Sequence, residues 1–444
     1  MQQAATQQTP DAAVVSEFKL KPEFAGPIQK RERVDVNLGQ TPEAFVRAAY
    51  QQINGSAPDA ALVQIWADRL REDTRLRRID VVRALAKAAG RADVPLDYSD
   101  PWQEQIELTA PLQKTVKRDV GAVMMYFFNT PNGVNGKMDW ANTHAPGMDA
   151  PAPILGFGDK AAGYYDPKSN SGFWYRELSD AKYAGLDFVV LNTYGPDLSD
   201  GSFDTLLPAL EKLRDPIKIA LFDDTWSWGE PWFGDFWKTK PDLSRTEEAA
   251  RTLYDAKWKP FFTRVPTKHW YRFKGRPLIY FYNAGKLEPR NQSAAVLKRM
   301  KEMFQADFGV EPFVVVDRAY FEDPNMPTVA DSKDIWFTFD LPDKRSRTET
   351  NGVTLDHAMV KWDPYGRDAR APEEKELLVK GPELLKRVLN ESRDADLLIL
   401  ATWNDLGEGT GFNRNTDYYY QGRWLEPNYF MKLIRASQQG EVLK

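Results

Sequence analysis

The sequence predicts an α/β protein, a (β/α)8 TIM barrel preceded by a small all-helical domain. From Val120 onward, short apolar runs alternate with stretches of helical periodicity, and about eight such units follow one another. Alternation of this kind is typical of a parallel sheet, and eight units are the number that closes a barrel. An open doubly wound sheet is the competing fold, but no glycine-rich phosphate loop follows the first strand.

Eight of the apolar runs are predicted to be strands because they are short and bounded by glycine, proline or polar residues. They cover residues 120–128, 188–191, 218–222, 278–282, 313–316, 335–337, 358–361 and 397–402. Helices are predicted over residues 174–184, 203–213, 244–262, 294–308, 382–390 and 429–437. Gly185 is placed to end the first of these helices, and Ser244 is placed to cap the third.

Residues 41–92 are predicted to form a helical module, after a flexible leader at 1–40 and before a proline-punctuated connector at 93–118. The barrel then occupies residues 119–444. The module carries Phe45, Val46, Tyr50, Gly55, Pro58, Asp59, Trp66, Leu70, Val81, Val82 and Leu85. This pattern resembles the domain of unknown function numbered 4214, which often accompanies secreted, surface or polysaccharide-related proteins. A generic three-helix bundle is the alternative.

Composition excludes several classes of chemistry. The chain has no cysteine, so disulfides, zinc–thiolate sites and thiol nucleophiles are ruled out. Its three histidines are far apart in the sequence, and we therefore expect neither a metal centre nor a cofactor. A net charge of −5 provides no polycationic face for nucleic acid. No apolar run approaches the roughly 18–20 residues of a membrane helix, so no integral membrane segment is expected.

The active site of such a barrel lies at the C-terminal ends of its strands. Amides, carboxylates and aromatic rings follow the predicted strands, and no lysine stands at these positions. The candidate binding residues among them are Asn192, Tyr194, Asp223, Asp224, Tyr282 and Asp317. Carboxylates and amides bind hydroxyl groups, while aromatic rings stack on the C–H faces of sugars. The strand ends therefore favour a carbohydrate site.

The loop after the third strand is rich in aromatic residues. It contains Trp226, Trp228, Trp232, Phe233, Phe236 and Trp237 within twelve positions. Because Gly229, Pro231 and Gly234 interrupt this loop, its rings cannot all pack inward from one regular face. We expect at least two of them, with Trp226 and Trp228 as the candidates, to stack on sugar rings.

The segment LLILATWNDLGEGTGF at residues 397–412 contains the sharpest motif. An apolar strand ends in Trp403-Asn404, and the carboxylates of Asp405 and Glu408 follow three residues apart. Glycosidic cleavage normally needs a proton donor and a second carboxylate that acts as base or nucleophile. An ordinary acidic turn would use the same residue types, so the spacing alone leaves both interpretations open.

This motif is similar to the Trp-Asn-Glu-x-x-Glu-Gly-Thr pattern of glycoside hydrolase families 71 and 99. Further matching positions are Tyr126, Trp140, His144, 153–156, 164–167, Trp174 and 181–188, with a weaker match at Trp362, Asp363 and Arg367. The resemblance implies that Glu408 and Asp405 are the catalytic pair and that Tyr126, Trp362, Asp363, Arg367, Trp403 and Asn404 contact substrate. Asp405 departs from the usual glutamate, because its side chain is shorter by one methylene.

Together these features predict a glycoside hydrolase that acts within a polysaccharide, with a bacterial exopolysaccharide as the expected substrate. The protein is expected to be secreted or periplasmic after removal of a signal peptide, with a cytosolic location as the alternative. The helical module is expected to bind a surface matrix or a protein partner. A non-catalytic glycan-binding protein on the same barrel is the alternative. A carbohydrate esterase is disfavoured, since no convincing serine–histidine pair or metal site is present.

Overall fold

The computed structural model of the 444-residue chain describes most of the barrel and part of the N-terminal region. The described residues are 32–33, 42–72, 81, 84–85, 88–90, 110–126, 172–193, 202–213, 215–229, 239–282, 287–317, 319–336, 345–359, 372–405, 410–414, 419–420, 423–424 and 428–444. They form two compact units. One unit takes the described residues of 32–90 and 414–429, and the other those of 110–126, 172–413 and 430–444.

The strands and helices are numbered in chain order among the described residues. The strands are β1 (Glu32–Arg33), β2 (Asp119–Met124), β3 (Phe188–Thr193), β4 (Lys218–Asp224), β5 (Arg272–Phe273), β6 (Arg276–Tyr282), β7 (Phe313–Val316), β8 (Ser332–Lys333), β9 (Arg345–Thr350), β10 (Val353–Met359), β11 (Leu397–Ala401), β12 (Tyr419–Tyr420) and β13 (Arg423–Trp424). The helices are α1 (Pro42–Asn54), α2 (Ala60–Glu72), α3 (Gly172–Ala184), α4 (Ser202–Lys212), α5 (Thr246–Leu253), α6 (Lys259–Arg264), α7 (Ser293–Phe308), α8 (Ala319–Glu322), α9 (Pro372–Glu391) and α10 (Tyr429–Gln438).

The first unit contains a small helical core. Helices α1 and α2 pack against each other, and their apolar faces share one cluster with two later residues. The buried members are Phe45, Val46, Ala49, Ile53, Leu62, Val63, Trp66, Val81 and Leu85. This unit also holds a three-stranded sheet in which β13 pairs with β1 and β12. The predicted all-helical character of residues 41–92 is confirmed where the chain is described.

The second unit is a barrel whose hydrogen-bonded strand order is β8, β7, β6, β4, β3, β2, β11, β10 and β9. Eight of these described strands run parallel, and β9 alone pairs antiparallel, with β10. The two ends of the order meet, because Thr348 Oγ1 of β9 donates to Lys333 O of β8 at 2.7 Å. The predicted (β/α)8 fold is confirmed, with one additional strand in its wall.

The additional strand enters through a tight hairpin. Strands β9 and β10 are joined by Asn351 and Gly352, which have φ angles of 52° and 69°. Two successive positive φ values are the requirement of the two-residue turn that fits the twist of a β-hairpin. Since β10 runs parallel to the other barrel strands and begins at this turn, the turn lies at the N-terminal end of the barrel.

Most predicted elements occur within a few residues of their expected bounds, but two predictions were wrong. The run at 335–337 was expected to be a strand. The strand in this part of the barrel is instead β8, the polar pair Ser332–Lys333, and neither Ile335 nor Trp336 belongs to it. Ser244 was expected to cap a helix, but α5 begins at Thr246. The Ser244 amide and hydroxyl instead donate to Asp242 Oδ1, which forms a turn before the helix.

The seam between β8 and β10 is closed by the buried carboxylate of Asp334. Its Oδ2 lies 2.7 Å from His357 Nδ1 of β10 and accepts from the Tyr280 hydroxyl of β6 at 2.7 Å. Its Oδ1 accepts from Ser346 Oγ of β9 at 3.0 Å and from the Ile335 amide at 2.6 Å. Burial by itself raises the pKa of Asp334, but His357 and the hydrogen bonds outweigh it and hold the pKa below its usual value.

Replacing this carboxylate should weaken the barrel strongly. In Asp334→Asn an amide replaces the acceptor of four donors, and the buried pair with His357 is broken, a change that typically costs about 3–5 kcal/mol. Urea denaturation at pH 7 should record a loss of that order. Asp394→Asn is the matched control, because Asp394 pairs with Arg347 at the surface and its removal should change little. Equal stability of both variants would contradict the assigned role of Asp334.

Candidate active site

Two adjacent carboxylates at the end of β4 face opposite sides of the barrel wall. Successive residues of a strand alternate between its two faces. Asp223 contacts the helical layer, where it accepts from Trp258 Nε1 at 2.7 Å and lies 3.4 Å from Lys257 Nζ. Phe222 and Asp224 therefore face the interior. Both acids were candidates for substrate binding, and the structure leaves Asp224, not Asp223, on the interior face.

Lys257 is a buried cation that reaches the strand ends from the π-helical turn Tyr254–Trp258, which joins α5 to α6. Its ammonium donates to Thr193 O at 2.7 Å, to Ser227 Oγ at 3.2 Å and to the carbonyl of Asp224. With Asp223 as its counter-ion, it joins β3, β4 and the loop after β4. No lysine was expected among the strand-end residues, and this one reaches the ends of β3 and β4 from the helical layer.

Asp224 lies among polar groups on the interior face. Its Oδ1 accepts from the Trp226 amide at 3.0 Å, and its Oδ2 accepts from Asn192 Nδ2 at 3.3 Å. Tyr282 of β6 is its partner in the parallel register, so the two side chains lie side by side. Burial is the main cause that raises the pKa of Asp224 to about 6, against the opposing charge of Lys257. The carboxyl can therefore give or take a proton near neutral pH.

An aromatic cluster covers the interior next to Asp224. The Phe222 ring stacks on Tyr280 with centroids 4.8 Å apart and on Tyr282 at 5.4 Å. Trp336 lies over all three, with centroid distances of 5.0 Å to Phe222, 5.9 Å to Tyr280 and 5.6 Å to Tyr282. Below it, His357 is 5.0 Å away. Tyr282 and Trp336 retain some exposure, so the cluster forms one wall of the barrel mouth.

Asp317 follows β7 and lies next to this wall. Its carboxylate is almost fully buried, and its charge acts on Tyr280. Burial, Asp334 and Asp317 together raise the pKa of the Tyr280 hydroxyl well above its usual value. Tyr280 therefore stays protonated and continues to donate to Asp334.

The end of β11 is fixed from two sides. Asn404 Oδ1 accepts from the Met125 amide at 2.7 Å and its Nδ2 donates to Met125 O at 3.0 Å, which continues the pairing of β11 with β2 through a side chain. Glu177 of α3 accepts from Trp403 Nε1 at 2.7 Å and from Asn404 Nδ2 at 3.2 Å. The predicted motif residues Trp403 and Asn404 are thus fully buried parts of the strand end.

Asp405 begins the loop that carries the two motif acids. It is 6% exposed, and its amide donates to Thr402 Oγ1 at 2.9 Å. Thr410 returns the chain to the same place, since its amide donates to Asp405 O at 3.1 Å and its hydroxyl lies 2.6 Å from that of Thr402. Glu408 lies outside the described residues, so the structure places one acid of the predicted pair.

The remaining candidates differ in exposure. Tyr126 is buried against Trp174 and Phe203, with centroids 5.4 and 5.3 Å away. Trp228 is 1% exposed, which indicates a packing role, whereas Trp226 is 43% exposed and can meet a ligand. The other candidates lie outside the described residues: Tyr194, Trp362, Asp363, Arg367 and the aromatic residues 232–237.

Sequence reasoning missed the residues that brace the site. Lys257, Trp258 and Glu177 stand on helices, and Trp336 stands in the run that was expected to be a strand. The rule that samples residues just past each strand reaches none of the three helical ones. Charge within a helical stretch was the only available signal, and it does not separate a buried brace from a solvated face. Within the described ranges, no three histidine, aspartate or glutamate residues are grouped to hold a metal ion.

Residues 123–441 match the family model described as Domain of unknown function (DUF5010). This match runs from β2 to beyond α10 and covers more than half of the chain. The chain belongs to this family. The DUF5010 region contains the described barrel strands except the first four residues of β2. The resemblance of residues 41–92 to the family numbered 4214 stays a prediction. No curated protein matches the sequence.

Solved structures similar to the DUF5010 chain include two of a GH99 endo-alpha-mannosidase from Bacteroides thetaiotaomicron, one of them with bis-tris propane. Both are 14% identical and cover 73% of this chain and 97% of theirs, with a TM-score of 0.47. A third is described as a glycoside hydrolase-like protein, at 16% identity, 74% and 97% coverage, and a TM-score of 0.45.

The raised pKa of Asp224 predicts a pH-dependent penalty on stability. At about 1.4 kcal/mol per pKa unit, a shift from 3.8 to about 6 costs roughly 3 kcal/mol once both states are ionised. The folded state holds the proton more tightly, so stability falls as pH rises from about 4 to 6. Asp224→Asn has no ionisable group at this position, so its stability does not carry this pH-dependent loss. The free energy of unfolding of Asp224→Asn minus that of wild type should therefore increase from pH 4 to pH 6 and stay constant above pH 6.

Urea titrations of both proteins at pH 4, 5, 6 and 7 measure this difference. The asparagine side chain of the variant keeps only one of the two hydrogen bonds that Asp224 accepts. This loss lowers the difference in unfolding free energy between variant and wild type by a similar amount at every pH, so the pH dependence of that difference is unchanged. Asp215→Asn, at a carboxylate whose side chain is 83% exposed, is the control for the loss of a carboxylate outside the protein interior. A difference between Asp224→Asn and wild type that is independent of pH would refute the assigned burial effect.

Proposed function

We propose that the protein is a glycoside hydrolase in which Asp405 and Glu408 form the catalytic carboxylate pair. The observation that carries this proposal is the position of Asp405. It lies buried at the C-terminal end of β11, in a loop base tied by Thr402 and Thr410, with the second acid three residues further along the sequence. This end of a barrel is where catalytic side chains collect.

The braces around the loop support a catalytic role for it. Glu177 and Met125 hold Trp403 and Asn404 in one arrangement, so the strand that delivers Asp405 has little freedom to move. A catalytic carboxylate must be held close to its productive position, and supporting hydrogen bonds supply that constraint.

In the proposed reaction Glu408 protonates the glycosidic oxygen as the bond between that oxygen and the anomeric carbon breaks. Asp405 either takes a proton from the water that attacks the anomeric carbon, or attacks that carbon itself and forms a glycosyl-enzyme ester that water then hydrolyses. Asp224 and Asn192 on β4 and β3 bind substrate hydroxyls, since both face the interior and Asp224 retains acceptor capacity on its two oxygens. Trp226 offers an exposed ring in the loop after β4. Acids, hydroxyl-binding groups and rings are the parts that polysaccharide cleavage uses.

The finer parts of the proposal come from the sequence. We infer an endo-acting enzyme on a bacterial exopolysaccharide, exported to the periplasm or beyond, with the helical module binding a surface matrix or protein partner. None of the helices that the structure describes has the length and apolar character that crossing a bilayer requires. GH99 endo-alpha-mannosidase, named among the similar structures, suggests mannan as one further polymer to test.

A panel of purified bacterial exopolysaccharides, together with yeast mannan, tests the activity. After incubation with the full chain, size-exclusion chromatography should record a rapid fall in polymer length for at least one substrate, which endo cleavage produces. Release of single sugars with little loss of polymer length would instead indicate exo action. Binding without any product would favour the alternative, a non-catalytic glycan-binding protein.

Single variants test the catalytic pair. Glu408→Gln should keep the fold and the affinity for polymer but lower turnover by about 10²–10⁴-fold, the usual contribution of a positioned acid. Asp405→Asn should have an effect of similar size. Glu302→Gln, at an exposed residue of α7 that pairs with Arg299, is the matched control and should retain full turnover. Full activity of Glu408→Gln would exclude its role as the proton donor.

A further inference from the structure

Trp336 is the half-exposed member of the interior aromatic cluster. It follows β8 at the C-terminal end of the barrel, and every ring that it contacts within the cluster belongs to an interior residue: Phe222, Tyr280, Tyr282 and His357. Its indole therefore lies at the mouth of the barrel and not among the outer helices. Trp336 is partly exposed, so part of its indole face is open to a ligand that enters the mouth.

The support beneath Trp336 is rigid. Tyr280 and His357 are both bound to the Asp334 carboxylate at 2.7 Å, so neither ring can turn without losing a buried hydrogen bond. Phe222 and Tyr282 are stacked on adjacent strands. The exposed indole thus rests on four rings whose positions are set by the barrel itself. Such support keeps a binding surface in place before the ligand arrives.

Hydrogen-bonding groups border the ring. Tyr282, 5.6 Å from Trp336 between centroids, is the register partner of Asp224. Asp224 in turn binds Asn192. An apolar ring face beside a carboxylate and an amide matches a pyranose, which has a face of C–H groups and a rim of hydroxyls. A purely apolar ligand would not use the remaining acceptor capacity of the Asp224 carboxylate.

We propose that Trp336 is the stacking platform of a pyranoside subsite at the barrel mouth, with Asp224 and Asn192 binding the hydroxyls of the same sugar. This inference rests on the proposed action on carbohydrate and names a binding residue for it. The subsite lies against β4, β6 and β8, so it holds a sugar on the side of the mouth away from β11 and its acids.

Substitutions at Trp336 separate stacking from packing. Trp336→Phe keeps an aromatic face, whereas Trp336→Leu keeps apolar contact with the supporting rings and removes the π face. Phe321→Ala is the control. Phe321 follows β7 in the chain and is 59% exposed. Its ring lies near Lys333, which faces outward from β8, and is therefore outside the mouth of the barrel.

Isothermal titration with cellohexaose, mannohexaose and chitohexaose, on the full chain at pH 7, measures affinity without requiring turnover. Trp336→Leu should bind at least one of these oligosaccharides about 5–10-fold more weakly than wild type, and Trp336→Phe should stay within about 3-fold of wild type. Phe321→Ala should bind as wild type does. Saturation-transfer NMR should place the strongest signals on the C–H face of the bound sugar in wild type and lose them in Trp336→Leu.

The possible outcomes distinguish a failure of the proposed stacking platform from a failure of the proposed catalysis. Binding that depends on Trp336 but yields no cleavage would support the platform and overturn the proposed catalysis. Hydrolysis of a polymer by Trp336→Leu with wild-type affinity for every oligosaccharide would overturn the platform alone. Absence of binding of all three oligosaccharides to wild type, or an equal loss in Phe321→Ala, would also overturn it.

Discussion

A single buried carboxylate, that of Asp334, holds together the seam of the described barrel. Between β8 and β10 the backbone ladder is interrupted by an antiparallel strand, and Asp334 joins the three strands through its two oxygens. Four donors compensate for the loss of water around a fully buried charge. The same oxygens fix the rings of Tyr280 and His357, and these support Trp336. Closure of the fold and the shape of the mouth therefore have a common cause.

The strand ends opposite this seam are held in a different way. Charged groups reach them from the helical layer, Lys257 toward β3 and β4 and Glu177 toward β11. Both are buried, and both bind several partners across distant parts of the sequence. Without these contacts, Asp224 at the end of β4 and Asp405 just after β11 would be held less tightly. The helices of this barrel thus position the site and do not only cover the sheet.

Hydrophobic pattern was enough to predict six of the parallel strands, β2, β3, β4, β6, β7 and β11, because each contains a short apolar run that is buried on both faces. The hydrophobic pattern failed to predict strands whose buried side chains are polar. Strands β8 (Ser332–Lys333) and β9 (Arg345–Thr350) contain no apolar run, so the hydrophobic pattern did not predict them. The apolar residues at 335–337 were predicted to be a strand instead. The strand-end rule found Asp224 and Asp405. It could not separate Asp223 from Asp224, since that distinction required Lys257 and Trp258, which lie more than thirty positions away.

The hairpin at Asn351-Gly352 has a consequence for the width of the barrel. The circumference of a closed sheet grows with the number of strands, and its internal cross-section grows with it. Branched aliphatic residues fill the interior of an ordinary eight-stranded wall. Around this wider wall they would leave voids, and here large rings and a histidine–carboxylate pair take up the extra volume. The two-residue turn at the N-terminal end thus brings in the ninth strand of the wall whose C-terminal end holds the Trp336 indole.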